Sequence, residues 1–215
     1  MECAHLILRS LTIGKASPTA VKASGKTGID KKPVGGKIHV GRLGLAGDEI
    51  CDLENHGGED QAVYVYGSAD YDWWQAELGR DLQAGVFGEN MVFEALSCRD
   101  VFVGDRFTVG ELVLEVTSAR IPCATFAERM GDKLFPKRFQ KAGRPGFYCR
   151  VIKTGDVAAG MAVEHRPYEG SKVPVSDLAY GPRRSQLDAA AIETLLSTPL
   201  HWKIKDYLVG KRSSP

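Results

Sequence analysis

The chain has 215 residues, enough for one large domain or one ordinary domain with a short appendage. Hydrophobic residues at 43% and charged residues at 26% are globular proportions and exclude a disordered chain. A net charge of +1 gives no whole-molecule field to attract nucleic acid or a membrane surface, although residues 1–43 are basic and residues 44–165 acidic.

Residues 6–8 and 11–13 read as strands, followed by 37–40 and 61–66. Ser68 is placed to cap a helix running to about Leu78, with Asp70 and Asp72 in its first turns and Trp73, Trp74 and Leu78 on its apolar face. Residues 100–103 and 106–109 form strands around Gly104-Asp105, and residues 111–116 alternate like a half-buried strand. Helical stretches follow over 125–130 and 132–141, broken by Gly131 and Pro136. The 24 glycines exceed average usage and call for many tight turns. Short strands joined by such turns predict a mainly β fold, a closed or nearly closed barrel.

Residues 167–182, with three prolines and two glycines, resemble a linker. Beyond it Leu187, Ala191, Ile192, Leu195 and Leu196 recur at helical spacing, and Pro199 separates them from a helix carrying Trp202, Tyr207 and Leu208. The expected organisation is a barrel domain over 1–166 and a small helical appendage over 174–210. No apolar run approaches the ~18 residues of a membrane span, and no secretory pattern opens the chain. Cysteines 3, 51, 98, 123 and 149 form no CxxC pair, so free thiols in a cytoplasmic protein are expected.

Two stretches carry chemistry. Residues 48–60 hold six carboxylates, His56 and the pair Gly57-Gly58. They read either as a divalent-cation loop or as a solvated acidic loop, and their spacing matches neither an EF-hand nor HExxH. The adjacent glycines let backbone amides approach a ligand beside His56. In the second stretch, Pro122 ends a strand and presents Cys123 just ahead of a helix, near Arg120, a setting that favours a thiolate. The other cysteines read as small buried hydrophobes. No phosphate-binding loop, dinucleotide fingerprint or GxSxG elbow is present.

The residues Thr27-Gly28-Ile29-Asp30-Lys31, Val40-Gly41, Leu45-Ala46-Gly47-Asp48 and His56-Gly57-Gly58-Glu59-Asp60-Gln61 resemble the MOSC domain of molybdenum cofactor sulfurases. Phe87-Gly88-Glu89-Asn90, Val103-Gly104-Asp105, Arg120-Ile121-Pro122-Cys123 and Gly143-Arg144-Pro145-Gly146 extend the resemblance in the same order over roughly residues 25–166. The helical tail is similar to that of the stand-alone bacterial YiiM-type branch. Thr27 stands where serine is usual in the family, and Asp30 where aromatic or small residues are frequent.

The resemblance implies a β-barrel that binds molybdenum cofactor, a molybdenum-bound pterin dithiolene. Cys123 would give the metal a thiolate, and His56 and Lys31 would polarise substrate or relay protons. Arg120, Arg144 and the amides of Gly57 and Gly58 would hold the pterin phosphate or oxo groups, with Asn90 a neutral contact. The implied activity is reduction of N-hydroxylated compounds, such as hydroxylaminopurine base analogues, to amines. A separate reductase would donate the electrons, and a homodimer is a candidate assembly. Two other readings stand beside it: a sulfur or cofactor carrier using Cys123, and a metal-dependent hydrolase using the acidic loop.

Overall fold

The computed structural model describes residues 6–180 and 187–212. The N-terminal part runs β1 (Leu6–Gly14), β2 (Ser17–Pro18), β3 (Lys26–Thr27), β4 (Lys31–Pro33), β5 (Ile38–Gly41) and β6 (Gly44–Leu45). Next come β7 (Val63–Gly67), α1 (Ser68–Leu78), β8 (Met91–Phe93), β9 (Arg106–Val109) and β10 (Leu112–Ala119). Then follow α2 (Ala124–Met130), α3 (Phe135–Ala142), β11 (Phe147–Lys153), β12 (Gly155–Val157) and β13 (Ala162–Arg166). The last helices are α4 (Ala189–Leu196) and α5 (Trp202–Arg212).

Seven strands close into a barrel in the order β13-β9-β10-β11-β7-β8-β1, and β1 returns to β13 through Leu6↔Val163 and Ile7↔Ala162. Closure leaves no open edge in the ring. Its pairings are antiparallel apart from β7 with β8, which run parallel and are connected through α1. Leu8, Val63, Phe93, Phe107, Leu114 and Phe147 are fully buried in the main core. A second, aromatic cluster of Tyr66, Trp74, Phe87, Phe126 and Phe139 packs α1, α2 and α3 together beside the barrel. It gives the segment after β10 a rigid backing.

Several local readings change. Residues 6–14 form one strand, with a register shift between Leu8 and Ser10. Residues 100–103 are not a regular strand: a 3-10 turn covers Cys98–Asp100, and Val101 and Val103 instead exchange backbone hydrogen bonds with Val175 and Val173. For the same reason the stretch from residue 167 to 180 is packed rather than linker-like, with Val173, Val175 and Leu178 in the core. Gly181 and Pro182 lie outside the described residues. Ser68 is the first helical residue, not the cap, because its hydroxyl accepts from Ala95 N–H. Tyr71 and Trp74 are the buried aromatic residues of α1, and Trp73 and Leu78 pack half-buried against the same cluster. Gly131 ends α2 in the left-handed region, while Pro136 sits in the first turn of α3, where its missing N–H costs no hydrogen bond.

Asp188 caps α4 by accepting from Ala191 N–H at 2.7 Å. The segment between the last two helices is tied to the barrel. His201 N–H donates to Thr117 O at 3.0 Å, and Arg150 donates to the carbonyls of Pro199 and Leu200. Leu200 and Leu208 join the main core. Trp202 N–H donates to Asp60 Oδ2 at 2.7 Å, while Arg150 holds Oδ1 of the same carboxylate at 2.9 Å. The appendage is thereby fastened to the end of the loop that carries His56.

Candidate active site

A cleft of about 680 Å³, open to solvent, lies where the end of β10 faces the loop between β6 and β7. Lys31, His56, Gly57, Asn90, Arg120 and Cys123 all line it, although they come from four separate stretches of chain.

Cys123 occupies the position just before α2, with extended backbone, so its thiol projects from the turn instead of continuing the helix. Burial pushes this thiol up. The His56 side chain hydrogen-bonded to it, the Arg120 charge and the Phe126 N–H outweigh burial and hold it at about 6. It is therefore largely thiolate at neutral pH. Burial also pushes Cys51, another thiol on the cleft, but in the opposite net direction, above its ordinary value.

Arg120 is 5% exposed. Its guanidinium donates to Phe87 O and stacks 4.0 Å from the centre of the Phe126 ring. Burial would lower its affinity for the proton, but Tyr64, Tyr148 and Cys123 raise it. The Phe87-Gly88-Glu89-Asn90 run explains the acceptor: buried Glu89 accepts from Phe87 N–H and Tyr71 OH, which fixes this turn beneath the guanidinium.

Lys31 and Asp48 form a nearly buried ion pair, with side-chain exposures of 8% and 5%. Burial lowers Lys31 below its ordinary value, with the Asp48 charge working against that shift. Asp48 also accepts from Gly14 N–H at 2.7 Å and Asn90 Nδ2 at 2.9 Å. Asn90 Oδ1 in turn accepts from Tyr64 N–H. Asn90 is thus engaged within the protein and positions Asp48. Gly28 permits the close stacking of this region, because a Cβ there would fall 1.8 Å from Glu49 O.

His56 is held from below. Its N–H donates to Asp52 O at 2.9 Å, and the Asp52 carboxylate accepts from Lys22 and Asn55. The Lys22 hydrogen bond is the main reason Asp52 is lowered to about 2. Gly57 lines the cleft at φ +76°, whereas Gly58 does not line it.

Arg144 is corrected. It does not line the cleft; its guanidinium pairs with buried Asp70 at 2.6 Å and lies over the Trp73 ring, so its charge is spent between α1 and the segment before β11. The cation-loop reading of 48–60 is also not supported. Asp48 pairs with Lys31, Glu49 with Lys15, Asp52 with Lys22 and Asp60 with Arg150. Among the described residues no group of three or more His, Cys, Asp or Glu side chains is placed to hold a metal ion. Asp30, beside Lys31 in sequence, pairs with Arg129 at 2.6 Å.

Asp48, Lys26 and Thr125 join the site without having been singled out for it. Asp48 stands inside the Leu45-Ala46-Gly47-Asp48 motif, and Lys26 immediately precedes the motif that begins at Thr27. Nothing local marks Thr125. Its hydroxyl is buried without a hydrogen-bond partner on the wall of the cleft. Lys26 and Arg120 have no carboxylate partner among the described residues. An acidified thiol beside Arg120, an orphaned hydroxyl and a lysine without a carboxylate partner fit an anionic group that bears a thiophilic metal.

The sequence profile of the MOSC domain matches residues 52–164, more than half of the chain, and the chain belongs to that family. The Bacillus subtilis protein YflK is 38% identical over 158 residues, covering 72% of this chain and 71% of YflK. A "Reductase" of Gibberella moniliformis is 30% identical over 168 residues; the match covers 75% of this chain but 30% of that longer protein. The crystal structure of YiiM from Geobacillus stearothermophilus matches with a TM-score of 0.79 at 26% identity, covering 97% of this chain and all of that one. The mainly β barrel with its helical end is therefore the architecture of this branch. Lys31 and Asp48 lie ahead of the profile match. Among the described residues no helix is long and apolar enough to cross a membrane.

Proposed function

We propose that the chain is a molybdenum-cofactor-dependent oxidoreductase that reduces N-hydroxylated compounds, such as hydroxylaminopurines, to amines. The observation that carries this reading is the Cys123 thiol held at about 6 by His56 and Arg120 in an open cleft that also carries Lys26 and an orphaned hydroxyl. Membership of the MOSC family and likeness to a protein named reductase support it. When bound, the cofactor supplies a two-electron metal centre able to accept oxygen.

In the overall change the N–O bond breaks, two electrons enter from a separate reductase, and two protons convert the hydroxyl oxygen to water and leave the amine. Cys123 provides a soft thiolate ligand with little deprotonation cost at neutral pH. Arg120 keeps that sulfur ionised. His56, hydrogen-bonded to Cys123 and half-exposed, holds and delivers a proton toward the departing oxygen. Lys26, Arg120 and Thr125 hold anionic oxygens, and the Lys31–Asp48 pair fixes the floor beneath them.

The test is molybdenum and pterin content of protein from a cofactor-competent host, beside Cys123→Ala, followed by turnover of a hydroxylaminopurine with an artificial one-electron reductant. One molybdenum per chain, lost in the variant together with amine formation, is expected. Cofactor-free protein carrying sulfane sulfur on Cys123 would replace the reductase with a sulfur carrier.

A further inference from the structure

A second cleft, of about 660 Å³ and open to solvent, lies on the far side of His56. His56, Gln61 and Tyr148 line both clefts, so the two share a wall at the point where a proton would be delivered. The opposite wall is made by the start of α5, which the Arg150 and Trp202 ties hold against the barrel.

The lining has a definite chemistry. Ile121, although large and apolar, is 45% exposed here, and Ile204 faces the same space. Ser118 is 2% exposed, and its hydroxyl has no hydrogen-bond partner. His201 is buried, and its Nδ1 accepts from Lys203 N–H at 3.0 Å, which leaves the ring proton on Nε2 as a neutral donor. Lys203 turns its ammonium to Glu54 O. Among the described residues no carboxylate lines this cleft, which does not suit a cation. Apolar surface with an imidazole N–H, a hydroxyl and amides suits a flat, uncharged heteroaromatic ring with polar edges.

We propose that the second cleft holds the heteroaromatic body of the substrate, with Ser118 and His201 as specificity residues, and that the N-hydroxyl group lies at the edge of His56, Gln61 and Tyr148 that the two clefts share. The proposal rests on the reductase reading above for the fate of the N-hydroxyl group. It goes beyond that reading in assigning a ring-binding subsite and giving the appendage a part in it.

The experiment uses the full chain and adenine, a redox-inactive ring, as the calorimetric probe. Saturable one-site binding is expected, weakened about tenfold in His201→Ala, the loss of one good hydrogen bond, and severalfold in Ser118→Ala. Ser118→Ala removes no hydrogen bond of the folded chain, so an unchanged melting temperature keeps the test interpretable should His201→Ala unfold. In cofactor-loaded protein, KM for a hydroxylaminopurine should rise by the same factors, whereas kcat/KM for hydroxylamine, which has no ring, should stay constant. Absence of adenine binding, or equal affinity in wild type and Ser118→Ala, would overturn the subsite. Turnover with an unaltered KM would overturn it and leave the reductase standing. Conversely, variant-sensitive adenine binding without turnover of any N-hydroxyl compound would overturn the reductase and retain the ring site.

Discussion

The two walls of the cleft are built by different physics. On the barrel side, Arg120 and Cys123 follow a strand end backed by the aromatic cluster; a carbonyl and a ring face hold the guanidinium, and the guanidinium with His56 and the Phe126 N–H holds the thiolate, against burial in both cases. On the loop side, residues 48–58 are held by ion pairs to lysines of the N-terminal region: Lys15, Lys22 and Lys31. The pairs are graded, from nearly buried Lys31–Asp48 to exposed Lys15–Glu49. Hydrogen bonds and a neighbouring charge fix the chemistry on one wall against the cost of burial, and charge pairing positions the residue that serves it from the other.

The comparison is tested most severely by Asp48→Ala. Removing it strands Lys31 nearly buried, and breaking such a pair costs about 3–5 kcal/mol. Urea unfolding at pH 6 should show the full loss. The loss should shrink toward pH 10, because Lys31, whose proton affinity burial lowers, can then be neutral. A cost no greater than that of exposed pairs would put the loop on the same footing as the surface.

Arg120→Met keeps the volume but leaves Phe87 O without its donor, at about 1–3 kcal/mol. The same change should move the alkylation midpoint of Cys123, about 6 in the wild type, upward. Stable protein with an unmoved midpoint would separate Arg120 from the thiol.

His56→Ala should also raise that midpoint, with little effect on the melting temperature, since His56 is half-exposed. The linkage has a definite sign. A thiol at about 6 when folded and about 8.5 when unfolded adds stability above pH 8.5, and that contribution fades as pH falls through 6. The wild type should gain stability between pH 6 and 8.5, and His56→Ala should gain less.

The smallest effect is expected from Lys22→Ala, a partly exposed pair worth up to about 1 kcal/mol. It should loosen residues 52–56 in hydrogen exchange more than it lowers global stability. High salt should mimic it in part. Asp52, at about 2 when folded, keeps its contribution above pH 4 and loses it only as pH falls through 2.

What the sequence disclosed follows the range of the interactions. Cys123 was readable because Pro122 and the following helix are its immediate neighbours. His56 was readable beside two glycines. The Lys31–Asp48 pair joins residues 17 apart with no periodic pattern between them, and Asn90 enters it from a third segment. Arg144 resembles a cofactor contact in the sequence because nothing adjacent to it reveals Asp70, which lies 74 residues away and takes its charge. Residues 100–103 look like a strand because they are extended and apolar; their partner is the stretch that resembled a linker. Thr125 is informative only through the absence of a partner, a property of three-dimensional packing.

The seam between β1 and β13 joins Leu6 to Val163. A ribosome adding about 5–20 residues per second therefore needs on the order of ten seconds to deliver the second edge after the first has emerged. Throughout that interval Cys123 is synthesised before Tyr148 and β11, and before the residues that brace the His56 loop through Arg150 and Trp202. The groups that lower the Cys123 thiol, His56, Arg120 and the Phe126 N–H, are all made before β11, but the strand that leads to Arg120 finds its β11 partner only afterwards. The order of synthesis therefore separates two events: the neighbours of Cys123 are present early, and the pairing that fixes their positions comes late.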